Sequence, residues 1–203
     1  PVGRARVTSC AADRVVLAVL LDGPPPARPP VNLILALPRP KVLRRTLELA
    51  AAAGVDSLAL VNSWRVDRSY FATPFLAPER LRETLHLGCE QGGHTWVPEV
   101  SVHPRLMPVL EALPPPAPGE RYLVAHPGAP ALEAAFPPGT AGRCRVAVGP
   151  EGGFIDREVA TFERLGFTAV GLDQAILRVE HAVAALLAQL ALLRRLPAAT
   201  IPW

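Results

Sequence analysis

Lysine is almost missing from this chain: of 21 basic residues in 203, Lys41 is the only lysine and the rest are Arg. Aromatic residues make up only 5% and charged residues 19%, while half of the chain is hydrophobic. So little charge beside so much apolar surface excludes disorder as the main state. The length suits one core, or one core with an appendage. Against 18 acidic residues the net charge is +3. That excess permits an RNA partner without demanding one, and a high-GC coding bias would give the same Arg, Ala and Pro content. Proline is plentiful at 24 residues but follows no period, which excludes a collagen-like or other fibrous chain.

Other absences narrow the function. Cys10, Cys89 and Cys144 are scattered, with no CxxC spacing, so neither a disulfide framework nor a zinc site is expected. Reduced thiols in a cytoplasmic protein are the better reading. His86, His94, His103, His126 and His181 show no HExxH or paired spacing, so no metal is expected. The longest apolar helical stretch, residues 181–193, contains Gln189 and falls short of the ~20 residues a membrane span needs. Neither GxxxxGK[ST] nor GxGxxG is present.

Periodicity supplies the elements. Residues 3–9 and 15–21 read as a hairpin around Ala11-Ala12-Asp13. The chain opens in what reads as mid-strand, so the expectation is a start inside a longer protein. Asp22-Gly23-Pro24-Pro25-Pro26 breaks regular structure and suits a domain boundary, or an ordinary surface loop. Beyond it, strands are predicted over 31–37, 57–61, 96–102, 121–125, 143–148 and 168–172. Helices are predicted over 41–53, 78–92, 104–113, 156–165 and 178–195, with Asp156 as an N-cap and Gly166 just past a C-terminus. Val179, Ala182, Val183, Leu186, Leu187, Leu190 and Leu193 form one stripe of the last helix. Strands alternating with helices predict an α/β domain with a mostly parallel sheet covered on both faces.

Three turns at strand ends hold the chemistry-bearing residues. Val148-Gly149-Pro150-Glu151-Gly152-Gly153-Phe154 joins a strand to a helix, and its glycines let backbone approach a ligand closely. Glu151 would repel a phosphate, so hydroxyls or a cationic group suit it better. A strand-to-helix turn with no ligand is the plain alternative. Leu172-Asp173-Gln174-Ala175-Ile176-Leu177-Arg178-Val179-Glu180 places apolar Ile176-Leu177 in a loop, where something must cover them. Arg178 stands at a helix start, against the dipole, which suggests a role other than stability; a surface ion pair is the alternative. Tyr122-Leu123-Val124-Ala125-His126-Pro127-Gly128 ends a third strand in a turn. The three could meet at one edge of the sheet.

Together, Val148–Phe154 and Ile176-Leu177-Arg178-Val179-Glu180 resemble the signature pair of the 16S rRNA (uracil-N3)-methyltransferase family, of the SPOUT class of AdoMet-dependent RNA methyltransferases. Leu35-Ala36-Leu37-Pro38-Arg39-Pro40-Lys41, Gly54-Val55, Arg65-Val66, Ser69-Tyr70, Glu90-Gln91 and Val97-Pro98-Glu99 fall in matching order. The resemblance covers about residues 31–190. It implies a SPOUT-type parallel sheet with a C-terminal trefoil knot over residues 28–203, preceded by a remnant of a PUA-like RNA-binding β-barrel over residues 1–27. It implies a homodimer in the cytoplasm, acting on the 16S rRNA of the small ribosomal subunit, with S-adenosyl-L-methionine (AdoMet) as cofactor. The cofactor would lie against Val124, His126, Pro127, Gly149, Pro150, Glu151, Gly152, Gly153, Leu172, Ile176, Leu177 and Val179. Arg178 and Glu151 would be catalytic, and Arg39, Lys41 and Arg65 would hold RNA.

The sequence also departs from the family pattern. Asp173 stands where Gly is usual, His181 where Thr is usual, and His94 near the place of an Arg. Two other readings follow: a SPOUT-fold RNA-binding relative that has lost catalysis or methylates another RNA, and an unrelated α/β protein binding a nucleotide or sugar at the Gly-rich loop.

Overall fold

The computed structural model describes residues 2–24, 27, 29–172 and 175–198. A hairpin comes first: β1 (Val2–Cys10) pairs antiparallel with β2 (Val15–Gly23). Both strands are solvent-exposed over almost their whole length. The rest alternates: β3 (Val31–Ala36), α1 (Pro40–Ala52), β4 (Ser57–Val61), α2 (Pro78–Gly92), β5 (Glu99–His103), α3 (Leu106–Glu111), β6 (Arg121–Ala125), α4 (Leu132–Ala135), β7 (Cys144–Val148), α5 (Asp156–Arg164), β8 (Phe167–Val170) and α6 (Val179–Arg195). The sheet is six-stranded and parallel in every pairing, in the order β5-β4-β3-β7-β6-β8.

Central strands read as unbroken apolar runs because both faces are covered. Leu33, Ile34, Leu35 and Ala36 of β3 are all buried, as are Val146, Ala147 and Val148 of β7. α1 packs between α2 and α6. It buries Leu43, Leu47 and Ala50 on the face its periodicity predicts. Gly88 of α2 has to be glycine: a Cβ there would stand 2.4 Å from the Glu48 carbonyl of α1. α6 buries Val179, Val183, Leu186, Leu187, Leu190 and Leu193, the expected stripe. On β8, α5 closes a chain of rings from Tyr122 through Phe167 and Phe162 to Phe154, each step 4.9 Å between centroids. Four of the eleven aromatic residues thus stack in one chain that ends at Phe154, the last residue of the Gly-rich loop.

At the amino ends of the strands the polar groups are tied together. Asp56 is fully buried and pairs with the Arg143 guanidinium. Asn32 donates to Asp56 Oδ2 at 3.2 Å and to Ser57 Oγ at 2.6 Å.

Several expectations need correction. The strand expected over 168–172 ends at Val170, because Gly171 leaves the β6 ladder. Gly171 bridges Ala131 instead, donating to the Pro130 carbonyl at 2.7 Å. The strand expected from Trp96 starts at Glu99. Trp96 lies outside it, its carbonyl accepting from Cys89 Sγ. The helix expected over 104–113 runs only from Leu106 to Glu111. Asp156 is the first helical residue of α5, not its cap; Ile155 holds the cap position, and Glu158 accepts from its backbone N–H at 3.0 Å. The one-turn α4 was not expected. Asp173 lies outside the described residues.

Candidate active site

Three loops follow the carboxyl ends of adjacent strands β7, β6 and β8, and hydrogen bonds lace them together. After β7, Gly153 N–H donates to the Pro150 carbonyl at 2.7 Å and closes a tight turn. Gly149 has to be glycine there, since a Cβ would stand 2.9 Å from the Phe154 nitrogen. After β6, Ala129 N–H donates to the His126 carbonyl. The loop is then stitched to the end of β8. His126 N–H donates to Val170 O at 3.0 Å, and Leu132 N–H to Gly171 O at 3.1 Å. A Cβ on Gly171 would lie 2.5 Å from the Ala129 carbonyl, so the two segments cross in near contact. Gln189 of α6 donates to the Leu172 carbonyl at 3.2 Å and holds the third loop.

The three loops enclose one cavity of about 100 Å³. His126, Pro127, Gly149, Pro150, Glu151, Gly153, Leu172, Ile176, Leu177 and Val179 all line it. Two residues expected there do not. Val124 is fully buried within β6, and Gly152 faces Arg65, whose Cδ would lie 3.0 Å from a Cβ placed on it. Ala125, Val148, Val170, Ala175 and Ala182 complete the wall. Ala125, Val148 and Ala175 lie within the three segments singled out from the sequence, but none of the five is among the residues expected to touch the cofactor. Their signal was position: three end strands, and Ala182 lies one helical turn after Val179.

The walls are mainly backbone and aliphatic side chains. His126 Nδ1 is buried and has no hydrogen-bond partner among the described residues. Glu151 spans from this loop to the next strand's exit: its Oε1 accepts from the Arg39 backbone N–H at 3.0 Å, at the start of α1. On the other flank the Arg65 guanidinium donates to the Gly152 carbonyl. Arg39, Lys41 and Arg65 are exposed, and Arg39 and Arg65 both reach the Gly-rich loop. Arg44 pairs with Glu48 along α1. Arg178 is exposed at the N-cap of α6 and makes no ion pair among the described residues. Ile176 is 83% exposed at the cavity mouth.

A sequence model described as an RNA methyltransferase domain matches residues 25–191, most of the chain. The chain belongs to the RNA methyltransferase domain family. The paired motifs at residues 148–154 and 176–180 agree with this membership. Within the family, the chain is 31% identical over 170 residues to ribosomal RNA small subunit methyltransferase E of Mycobacterium bovis, covering 79% of this chain and 62% of that protein. The enzyme of the same name from Treponema pallidum is 29% identical over 204 residues, covering 90% and 70%. The chain thus spans about three fifths of the mycobacterial relative. Ribosomal RNA small subunit methyltransferase E of Neisseria gonorrhoeae, solved bound to S-adenosyl methionine, superposes with a TM-score of 0.72 at 27% identity, covering 91% of this chain and 76% of that one. A Legionella pneumophila methyltransferase with SAM bound shares the fold, with a TM-score of 0.73 at 20% identity over 93% and 77% of the two chains. Among the described residues no helix is long and apolar enough to cross a membrane, and no group of His, Cys, Asp and Glu is arranged to hold a metal.

Proposed function

We propose that this chain carries the catalytic domain of a cytoplasmic AdoMet-dependent methyltransferase acting on N3 of a uridine in 16S rRNA. The observation that carries the reading is the cavity shared by segments 125–127, 148–153, 170–172 and 175–182. Its residues fit AdoMet. Aliphatic walls from Leu172, Ile176, Leu177 and Val179 suit an adenine ring, and His126 Nδ1, buried without a partner among the described residues, suits a polar ligand group. Bound there, AdoMet supplies a methyl group on a sulfonium for in-line transfer to a nucleophile.

Uracil N3 carries a proton and is a poor nucleophile until that proton leaves. Arg178, a cation beside the cavity with no described acidic partner, stabilises the negative charge left on the base carbonyls. Glu151 spends one oxygen on the Arg39 N–H and offers its other to the cofactor or to the N3 proton. Arg39, Lys41 and Arg65 hold RNA phosphates beside the loop.

The remaining features of the reading have their own support. The near contact of Gly171 with Ala129 and the bridge to Ala131 favour a chain threaded through loop 126–143, as in a trefoil knot. The exposed two-stranded hairpin is too small to be stable alone, which supports a barrel fragment over residues 1–27 beside a domain over 28–203. Exposed Ile176 and Leu192 supply apolar surface for a homodimer. Calorimetry with AdoMet, followed by transfer of labelled methyl to small-subunit rRNA, tests the proposal. Heat of binding and a methylated uridine are expected; neither heat nor transfer would remove it.

A further inference from the structure

A second cleft opens beyond the carboxyl ends of β4 and β5, across the Gly-rich loop from the first cavity. It holds about 1010 Å³, at the upper end of the roughly 300–1,000 Å³ usual for small-molecule sites. Its lining is largely apolar, with Val66, Leu106, Met107 and Ile155, but two polar groups on its wall are unfinished. Ser63 is only 6% exposed, and its Oγ has no hydrogen-bond partner among the described residues; the buried Asn62 Oδ1 has none either. Buried polar atoms are normally paired, so two adjacent exceptions lining a cleft mark a place built for a polar ligand edge. Next in the chain, Trp64 is 79% exposed on the wall of the same cleft. Nothing in the fold needs an indole there. Its backbone is nonetheless fixed, its N–H donating to Glu158 Oε1 at 2.9 Å.

The charge around the cleft is positive. Arg68, Arg105, Arg157 and Arg164 line it against Glu111 and Glu158, and Glu158 is already committed to the backbone of Trp64 and Ile155. An exposed aromatic face, hydrogen-bonding atoms beneath it and a cationic rim match one chemistry: an unpaired nucleotide, with its base stacked and its phosphates neutralised. Arg65 follows Trp64 and grips Gly152, so the cleft is mechanically joined to the loop that walls the first cavity.

We infer that this cleft binds an unpaired nucleotide flanking the methylated base, stacked on Trp64 with its polar edge at Asn62 and Ser63. The choice of RNA as occupant rests on the methyltransferase reading; the shape and charge of the cleft do not. Trp64 here is a substrate-positioning residue.

The test uses the full chain with in vitro transcribed small-subunit rRNA carrying 4-thiouridine. Trp64→Ala should weaken RNA binding about tenfold, Trp64→Phe should restore most of it, and AdoMet affinity should not move. Arg105→Gln and Arg157→Gln should each flatten the salt dependence of binding by about 0.7 in log–log slope. Cross-linked peptides should include residues 62–68. RNA affinity unchanged in Trp64→Ala, with cross-links only elsewhere, overturns the inference while leaving AdoMet binding and methyl transfer intact. A change in sedimentation of Trp64→Ala with unchanged RNA affinity also overturns it, and makes the cleft a contact between copies of the chain. Failure of the wild-type chain to bind AdoMet strikes the methyltransferase reading instead, and the cross-link map still decides the cleft.

Discussion

The two ends of the parallel sheet are built on opposite principles. At the amino ends, Asp56, Arg143, Asn32 and Ser57 satisfy one another. At the carboxyl ends, His126 Nδ1, Asn62 Oδ1 and Ser63 Oγ are buried without partners among the described residues. Among the described residues Arg145 and Arg194 also keep an unpaired Nε, each guanidinium lying over a ring, Arg145 over Tyr122 and Arg194 over Phe136, and His94 keeps an unpaired Nδ1 while its Nε2 donates to the Ala51 carbonyl. Both ends belong to one fold and one core. The difference teaches where stability is held and where ligand chemistry is held: the paired cluster of Asp56, Arg143, Asn32 and Ser57 fastens the chain, and the unpaired atoms of Asn62, Ser63 and His126 belong to residues that line cavities.

Substitutions at the two ends should therefore separate stability from binding. Arg143→Ala should have the largest effect on stability, because it leaves the Asp56 carboxylate buried without its cation. We expect a loss of roughly 2–3 kcal/mol in urea unfolding, below the full cost of a buried pair because Arg143 is partly exposed. AdoMet affinity of the folded fraction should not change. Gly171→Ala lies at the other end and should do both. A Cβ 2.5 Å from the Ala129 carbonyl forces the crossed segments apart. We expect about 1–3 kcal/mol of destabilisation and at least a tenfold loss of AdoMet affinity by calorimetry.

How much of this could be read beforehand follows from the physics of each segment. α1 and α6 were legible because a helix buries one stripe and the stripe repeats every 3.6 residues. Leu43, Leu47 and Ala50 announce one face, and Val183, Leu186 and Leu190 the other. The end of β8 was not legible, because Gly171 leaves the ladder for a partner forty residues away at Ala131. No local pattern encodes that. The first cavity was legible through its glycines and the Ile176-Leu177 pair. The second cleft was not, since Ser63-Trp64-Arg65 has no period and its neighbours come from two distant segments, 104–111 and 155–164.

Smaller effects sharpen the comparison further. Glu151→Gln removes a charge that is exposed and bonded to one backbone N–H, so stability should fall by less than about 1 kcal/mol. Methyl transfer should nevertheless drop by about a hundredfold, within the usual range for a lost general base. The smallest effect is on thiol labelling. Cys10 is exposed on the hairpin and should react first with iodoacetamide. Cys89 and Cys144 are buried, and burial pushes both thiols up from their ordinary pKa, in Cys144 against the pull of Arg194 and Arg143. They should react only on unfolding. Labelling of Cys144 in the native state would show that the amino end is looser than its pairing implies.

The central claim is that the cavity at the carboxyl ends of β6, β7 and β8 holds AdoMet for transfer to RNA. Calorimetric titration of AdoMet into the wild-type chain and into Gly171→Ala, at matched folded fraction, tests it most directly. Saturable binding to the first, weakened at least tenfold in the second, is the expected result. Equal binding by both, or none by the wild type, would contradict it.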